Sequence, residues 1–477
     1  CHCVKMLQST LPDHVRGSFH RIAGALFNEL LMPSATEDGG TSLIQHARAH
    51  DEKIICFVTG VPGAGKTLVG LNIATCHRER NDTHAVYLSG NGPLVTVLRE
   101  ALTRDDVARR KQRGERISKA EAGKPIKAFI QNVHHFRDEG LRDGNKPPVD
   151  RIVIFDEAQR AWNREKTSRF MQQRKSIPGF SSSEPEFLLE YMDRHGGWAV
   201  VVCLVGGGQE IHTGEAGIGA WIDACVDRFQ NWTLCASGKL TDAEYGAGAP
   251  LGRAAEHART RFFDDLHLTT SIRSFRSENV SAFVKALLDC DETAARDLLG
   301  SLRDKYPIVI TRDLDVARQW VRSQARGTER YGLLTSSKAM RLKPHAIDVR
   351  VEADPVNYFL GQPGDVRSSY YLEDCATEFQ VQGLELDWTL VTWDADLRHS
   401  QGTWSYHDFR GNKWQTIRSQ ENQRNLKNAY RVLLTRARQG LAIFVPPGSH
   451  TDPTRPPVMY DTTFRYLRGL GLQTLTP

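Results

Sequence analysis

No apolar run in the 477-residue chain reaches the ~18 residues that cross a bilayer. A secretory leader, with its charged, apolar and small-residue parts in order, is not visible either. These absences point away from the membrane and toward a cytoplasmic protein. Short-period repeats and low-complexity tracts are missing as well. Cysteine is sparse and odd in number: nine residues, mostly among apolar neighbours, as at Cys56, Cys203 and Cys235. That pattern fits reduced, buried thiols better than a disulfide framework. Cys1-His2-Cys3 sets two metal-ligand types close together, but no second pair matches it. The chain opens on Cys1 and not on methionine, so a further domain ahead of it is expected.

What remains is the composition of a globular protein, 40% hydrophobic and 25% charged. The length allows two or three domains. The net charge of +5 is small but unevenly spread. Residues 104–127, RDDVARRKQRGERISKAEAGKPIK, hold nine Lys/Arg against four Asp/Glu, an excess equal to that of the whole chain. Two readings stand: a solvated surface insertion, or an arm that contacts phosphates.

Phe19, Ile22, Leu26 and Leu30 fall at helical spacing, which predicts a helix over 14–31. Residues 33–40 read as a loop, and Thr41 or Ser42 as the cap of a short helix carrying Gln45. Apolar β-type runs then recur at 54–58, 85–88, 152–155 and 199–205, with helical stretches between them. Continuous apolar strands alternating with helices indicate a parallel sheet covered on both faces. The glycine- and alanine-rich stretch 237–258 looks like a junction. After it the runs restart at 266–270, 307–312, 331–337, 388–393 and 441–445. The expected organisation is a helical segment over 1–49, a first α/β domain over 50–250 and a second over 251–477.

Gly60-Val61-Pro62-Gly63-Ala64-Gly65-Lys66-Thr67 matches GxxxxGK[ST], after an apolar strand and before a helical run. Such a loop, here Gly60, Pro62, Gly63, Ala64 and Gly65, wraps a triphosphate with its backbone, and the helix N-terminus adds its dipole. Lys66 would reach the β and γ phosphates, and Thr67 would ligate Mg²⁺. Asp156-Glu157-Ala158-Gln159 follows four apolar residues. Asp156 would hold Mg²⁺, directly or through water, while Glu157 would orient and deprotonate the attacking water. Trp162, close behind, is either a stacking partner for a base or a buried ring.

These elements alone are shared by many nucleotidases, so the later stretches discriminate. A third strand ends in glycines and Gln209, an amide able to feel a γ-phosphate. Arg273 and Arg276 follow a strand, and Gln382-Gly383-Leu384-Glu385 precede one. Arg436 and Arg438 stand between Val432-Leu433-Leu434 and the run Leu441 to Val445. A cation directed at a transferring phosphoryl group is worth ~10³–10⁵ in rate. Arginine suits that role because its planar fork is always charged.

In order and spacing these stretches resemble a superfamily 1 helicase core: GVPGAGKT as motif I, YLSGNGPL as Ia, DEAQ as II, GGGQ as III, TSIRS as IV, TEFQVQGLE as V and YRVLLTRAR as VI. The combination FDEAQRAW, GGGQEIHTGEAG and AYRVLLTRAR is closer still to the Schlafen-like helicase domain family, a bacterial group related to the helicase part of Schlafen proteins. The resemblance spans roughly residues 50–446. It implies an α/β fold of two tandem RecA-like P-loop NTPase domains, parallel sheets flanked by helices, with ATP and Mg²⁺ as cofactors. It also implies a helicase or translocase that hydrolyses ATP between the two domains, with single-stranded DNA or RNA as partner. The alternative is an ATPase switch without unwinding, regulated by nucleic acid or a partner. Such a switch would belong to a larger effector, as in anti-phage defence, with a fused or associated nuclease.

Carried over by residue, the resemblance makes Lys66, Asp156, Glu157 and Gln209 catalytic and Arg273 and Arg436 the arginine fingers. Gly383 and Glu385 would contact the nucleotide, and Arg438 would support that site or touch a phosphate backbone. Gln45 would read adenine. Ser89, Asn91, His134 and Thr377 would face the nucleic acid. Two positions depart from the family pattern: no aspartate precedes Gln209 in motif III, and Ile272 stands where an aromatic residue often stacks on adenine. His134-His135 fits a backbone-contact segment better than a metal pair. The stretch 399–415, HSQGTWSYHDFRGNKWQ, reads either as a stacking platform for single strands or as a surface hairpin with partly buried tryptophans.

Overall fold

A strand that is apolar along its whole length has no face to give to water, so it must lie inside a sheet covered on both sides. The computed structural model, which describes residues 43–60, 64–79, 84–206, 214–241, 247–268, 274–303 and 305–476, builds two such sheets. They belong to two compact units, Cys1–Ile272 and Arg273–Pro477. The expected helix over 14–31 and Cys1-His2-Cys3 lie outside the described residues.

In the first unit the sheet runs β3 (Ile130–Asn132), β2 (Ala85–Ser89), β4 (Ile152–Asp156), β5 (Ala199–Leu204), β1 (Lys53–Gly60), β6 (Trp232–Ala236) and β7 (Thr260–Phe262). A short strand β8 (His267–Leu268) joins the end of β1. Every pairing is parallel, so each connection must cross over, and helices do the crossing. Strand β5 separates β1 from β4. The phosphate-loop strand and the acidic strand therefore end on the same edge with one strand between them, the order of a RecA-like sheet. Alternate residues of each strand feed two cores. Phe57, Val153, Phe155 and Val201 pack with Trp221 and Trp232 on one face. Cys56, Tyr87, Ile154 and Leu204 pack with Val69 and Ile73 on the other.

Two observations revise the expected organisation. Strands β7 and β8 pair with β6 and β1, so residues 260–268 belong to the first sheet and not to a second domain. The stretch 237–258 is not a junction, because the helix Gly248–Ala255 buries Leu251 and Ala254 in the first unit's core. The break falls after Ile272 and not at 250. The described cysteines are all free, and Cys56, Cys203 and Cys235 are buried as expected.

The second unit repeats the principle with the order β11 (Cys375–Thr377), β10 (Tyr331–Thr335), β12 (Leu386–Thr392), β16 (Ala437–Phe444), β9 (Ile308–Thr311) and β17 (Gln473–Thr474), again all parallel. A small antiparallel sheet of β13 (Leu397–Ser400), β14 (Thr403–Arg410) and β15 (Lys413–Thr416) stands beside it. Just past β12, two buried carboxylates meet tyrosines: Tyr460 donates to Asp394 at 2.9 Å and Tyr430 to Asp396 at 2.6 Å.

Near the edge of the first sheet a buried ion pair fixes the helices. Arg137 on the helix Val133–Arg142 donates to Glu184 at 3.0 Å, with side chains 1% and 2% exposed. The other oxygen of Glu184 accepts from the Trp162 backbone N–H at 2.9 Å. Removing one member of such a pair strands a charge, which costs roughly 3–5 kcal/mol, whereas replacing both with apolar groups costs far less. Glu184→Ala is therefore expected to lower the unfolding free energy by about that amount, and Arg137→Met/Glu184→Leu to recover most of the loss. Urea unfolding midpoints check this, and equal losses in the two variants would contradict it.

A pH dependence follows in the second unit. Burial, and after it the charge of Asp396, raises the Asp394 carboxyl to about 6. An unperturbed aspartate ionises near ~3.9, so between these values the folded unit holds a proton that the unfolded chain has lost. This contribution is full at low pH and is lost as pH rises through about 6. From about pH 4 to about pH 7 the unfolding midpoint should fall more steeply in the parent than in Asp394→Asn.

Candidate functional site

The first sheet's edge begins at Gly60. A Cβ there would stand 2.6 Å from Leu268 Cβ, because β8 pairs with the last two residues of β1. Only glycine fits that approach. Gly65 has φ +88°, a left-handed conformation that favours glycine, and the helix Lys66–Glu79 starts at once after it. Pro62 and Gly63 lie outside the described residues. The Lys66 ammonium turns back over the loop and donates to the Gly60 carbonyl at 2.7 Å.

Asp156 ends β4 on the same edge and is buried. Its Oδ2 accepts from the Thr67 hydroxyl at 3.0 Å and from the Tyr87 hydroxyl. Its Oδ1 accepts from the Glu157 N–H at 3.2 Å. Burial first, then the neighbouring Glu157 charge, lifts the Asp156 carboxyl above the usual carboxylate range. Glu157 itself sits in the left-handed region, at φ 54° and ψ 47°. A non-glycine residue held there costs of order 1–3 kcal/mol and persists only where its surroundings fix it. Gln159 supplies that fixing: its amide donates to Glu157, and its oxygen accepts from the Gly206 N–H at 3.2 Å.

Neither Tyr87 nor the linking role of Gln159 was read from the sequence. The signal for Tyr87 is a lone phenol in an apolar strand that pairs with the acidic strand, with Ser89 opposite Asp156. Side chains two residues apart share a face, so Tyr87 lies on the face of Ser89.

The remaining predicted residues are spread widely. Ser89 and Asn91 are buried and serve the start of the helix Gly92–Gln112: Asn91 accepts from the Leu94 N–H at 3.3 Å, and its own N–H donates to Ser89. Gly90 between them is exposed. His134 lies half-buried against Trp162, with rings 5.1 Å apart. Gln45 is exposed on the helix Leu43–His50. Gln209 and Arg273 lie outside the described residues.

In the second unit Thr377 caps the short helix Glu378–Val381 through a reciprocal bond with Gln380. Gly383 has φ +76°, in the turn before β12. Arg436 is 4% exposed and donates to the Val432 carbonyl at 3.1 Å. Arg438 is exposed, with Glu385 at 3.8 Å and Asp387 at 3.6 Å.

Two open readings gain definition. In the hairpin 399–415, Trp404 is buried and stacks on Trp393, and the Trp414 indole donates to the Thr454 carbonyl at 2.8 Å. These rings are spent internally, which favours the partly buried hairpin over the stacking platform. The basic stretch 104–127 lies on two helices and pairs much of its charge, Arg109 with Asp105 at 2.8 Å, Arg110 with Asp106 at 3.0 Å and Lys119 with Glu100 at 2.6 Å. Lys111, Arg113 and Arg116 at its turn are exposed. Among the described residues no group of His, Cys, Asp and Glu is arranged to hold a metal without further donors, and no helix is long and apolar enough to cross a membrane.

The chain was compared with known proteins. No curated protein matches it. Among solved structures, the crystal structure of the Pyrococcus furiosus Hef helicase domain is similar at 13% identity, over 84% of this chain and 94% of that one, with a TM-score of 0.22. A family model described as "Schlafen group 3, DNA/RNA helicase domain" matches residues 53–447, from the first residue of β1 to just beyond β16. The chain thus belongs to the Schlafen group 3 DNA/RNA helicase domain family.

Proposed function

We propose that this protein is an ATP-dependent nucleic-acid helicase or translocase of superfamily 1 type. The observation that carries the reading is the convergence of Lys66, Thr67, Asp156 and Glu157 on one sheet edge, with Thr67 and Asp156 already in contact at 3.0 Å. The donor set suits the cofactors. A hydroxyl and a carboxylate are the hard oxygen ligands that Mg²⁺ takes beside phosphates. The ammonium on the Gly60 carbonyl stands where phosphate oxygens would compete for it. Bound Mg²⁺ would offset charge on the β and γ phosphates.

The chain's own residues would do the rest. Lys66 and the helix N-terminus bind the polyphosphate, Thr67 and Asp156 hold the metal, and Glu157 takes a proton from the attacking water. For Arg436 the reading proposes the cation that meets the transferring phosphoryl group. Membership of a DNA/RNA helicase domain family supports single-stranded nucleic acid as the partner.

ATPase assays with and without single-stranded DNA and RNA test this. Glu157→Gln should lower turnover by ~10²–10⁴ with the fold intact, and either strand should stimulate the parent. Unchanged turnover in Glu157→Gln removes the catalytic assignment. Stimulation by neither strand removes the motor. Stimulation without strand displacement favours the ATPase switch.

Tyr87 acts through Asp156 as a positioning residue. Partners that orient a metal ligand are worth ~10–100-fold in metal affinity. Tyr87→Phe should therefore raise the Mg²⁺ concentration for half-maximal ATPase by about that factor, and turnover at saturating Mg²⁺ should largely recover. A loss that Mg²⁺ does not repair would mean a purely structural role.

A further inference from the structure

We propose that a cavity of about 210 Å³ in the first unit, walled by Trp162, His134 and Arg160 beside Glu157, takes one nucleobase of a bound single strand. The inference rests on the nucleic-acid reading above and adds a site to it.

Two residues of the wall carry unmet hydrogen-bonding capacity. Among the described residues, His134 Nδ1 and Arg160 Nη1 are buried without a partner, although Arg160 Nε stands 3.3 Å from Glu215. A buried polar atom left unpaired costs ~1–3 kcal/mol, which a small turn of either side chain toward an occupant with a polar edge would relieve. Burial lowers the His134 imidazolium to about 4, so its ring is neutral and presents one donor and one acceptor nitrogen.

The other walls narrow the ligand class. Leu88, Phe155 and Trp221 are apolar, while Asp156, Glu157 and Glu184 also line the space. With Glu215 the lining has four carboxylates against two cations, Arg160 and Lys166, a balance that disfavours a phosphate. A neutral, planar ring with a polar edge suits both the apolar walls and the orphaned atoms, and bases of single strands bind by stacking on aromatic rings. The Trp162 indole lies on the wall, with the Arg137 guanidinium 5.0 Å and the half-buried Lys166 ammonium 4.8 Å from its centroid, so a base would stack there in place of the Lys166 ammonium. Gly90, exposed in the turn after β2, lies on the wall, so the cavity reaches the surface on that side.

The position gives the pocket a consequence. Residues 157–163 join the acidic strand to Trp162, and their backbone is bonded to residues 214–217: Asn163 N–H to Gly214 at 2.8 Å, Ala216 N–H to Ala161 at 2.7 Å and Gly217 N–H to Gln159 at 3.1 Å. Gln159 in turn donates to Glu157. A base against Trp162 and Arg160 therefore sets the segment that carries the proposed water-activating carboxylate. In this way strand occupancy would raise hydrolysis.

The test measures ATP hydrolysis by the full chain against increasing oligothymidylate and against an abasic oligomer of equal length, which keeps the phosphates. The abasic strand should need about ten-fold more for half-maximal stimulation, since a stacked base is worth ~1–3 kcal/mol. In Trp162→Leu the gap, taken as a ratio within that protein, should close to within about two-fold. If Trp162→Leu does not fold, the parent's own gap and its closure in His134→Asn decide. Equal responses of the parent to both strands, or a gap that survives in the variant, overturn the pocket and leave the motor standing. Stimulation by thymidine alone overturns the assignment to a strand. A parent stimulated by neither strand removes the motor reading and the pocket together.

Discussion

Burying Asp156 sets the terms on which the rest of the first unit is built. A carboxylate at the end of an interior strand loses its hydration, and an uncompensated one would be protonated or expelled. Three donors meet it, from three different elements: Thr67 at the start of a helix, Tyr87 in the neighbouring strand and the N–H of Glu157. Each donor is fixed by the sheet order. Strand β2 must lie beside β4 for Tyr87 to reach across, and β5 must lie between β4 and β1 for Thr67 to approach from above. The parallel topology is thus tied to one charge. Burial and the neighbouring Glu157 charge nevertheless outweigh these donors and hold the carboxyl above its ordinary range.

A second buried charge pair fixes the loop beyond the acidic residues. Arg137 and Glu184 join two helices and, through the Trp162 N–H, the loop that follows the acidic pair. The Arg137 guanidinium also lies over Trp162 and Phe170, at 5.0 and 4.7 Å from their ring centroids. Charge, hydrogen bond and aromatic face converge on the same loop from different directions. Isolated buried ion pairs add little net stability. Their value here is positional, because the loop cannot shift without exposing or stranding one of these groups.

Much of this architecture was legible from residue type alone. The strands around 54–58, 152–155 and 199–205 announce themselves because a strand covered on both faces is apolar at every position, and Gly60 and Gly65 sit where backbone approach and left-handed φ require glycine. The boundary was not legible. Strands β7 and β8 have only three and two residues, too few for a periodic signal, and the helix Gly248–Ala255 is hidden in a glycine- and alanine-rich run. Side-chain bookkeeping was equally opaque. Ser89 and Asn91 read as surface contacts, yet the first turn of a helix needs acceptors for its free N–H groups and takes them. Trp404 and Trp414 left both a platform and a partly buried hairpin open, because sequence spacing cannot say which face of a hairpin is covered.

Glu157 shows what the end of a strand allows that its interior does not. Inside the sheet every backbone group is bound to a neighbouring strand, and a side chain's direction is dictated by the pleat. One residue past Asp156 the ladder has run out, and a left-handed turn becomes possible. The turn re-aims the carboxylate, but it carries a strain that the segment must recover elsewhere. It is recovered through bonds between loops: Gln159 reaches the end of β5 at Gly206, and residues 159–163 pair with 214–217. The described segments 157–163 and 214–217 are therefore one mechanical piece. A change at either end, at the Glu157 carboxylate or at the Trp162 wall, is felt at the other, because these bonds run between them.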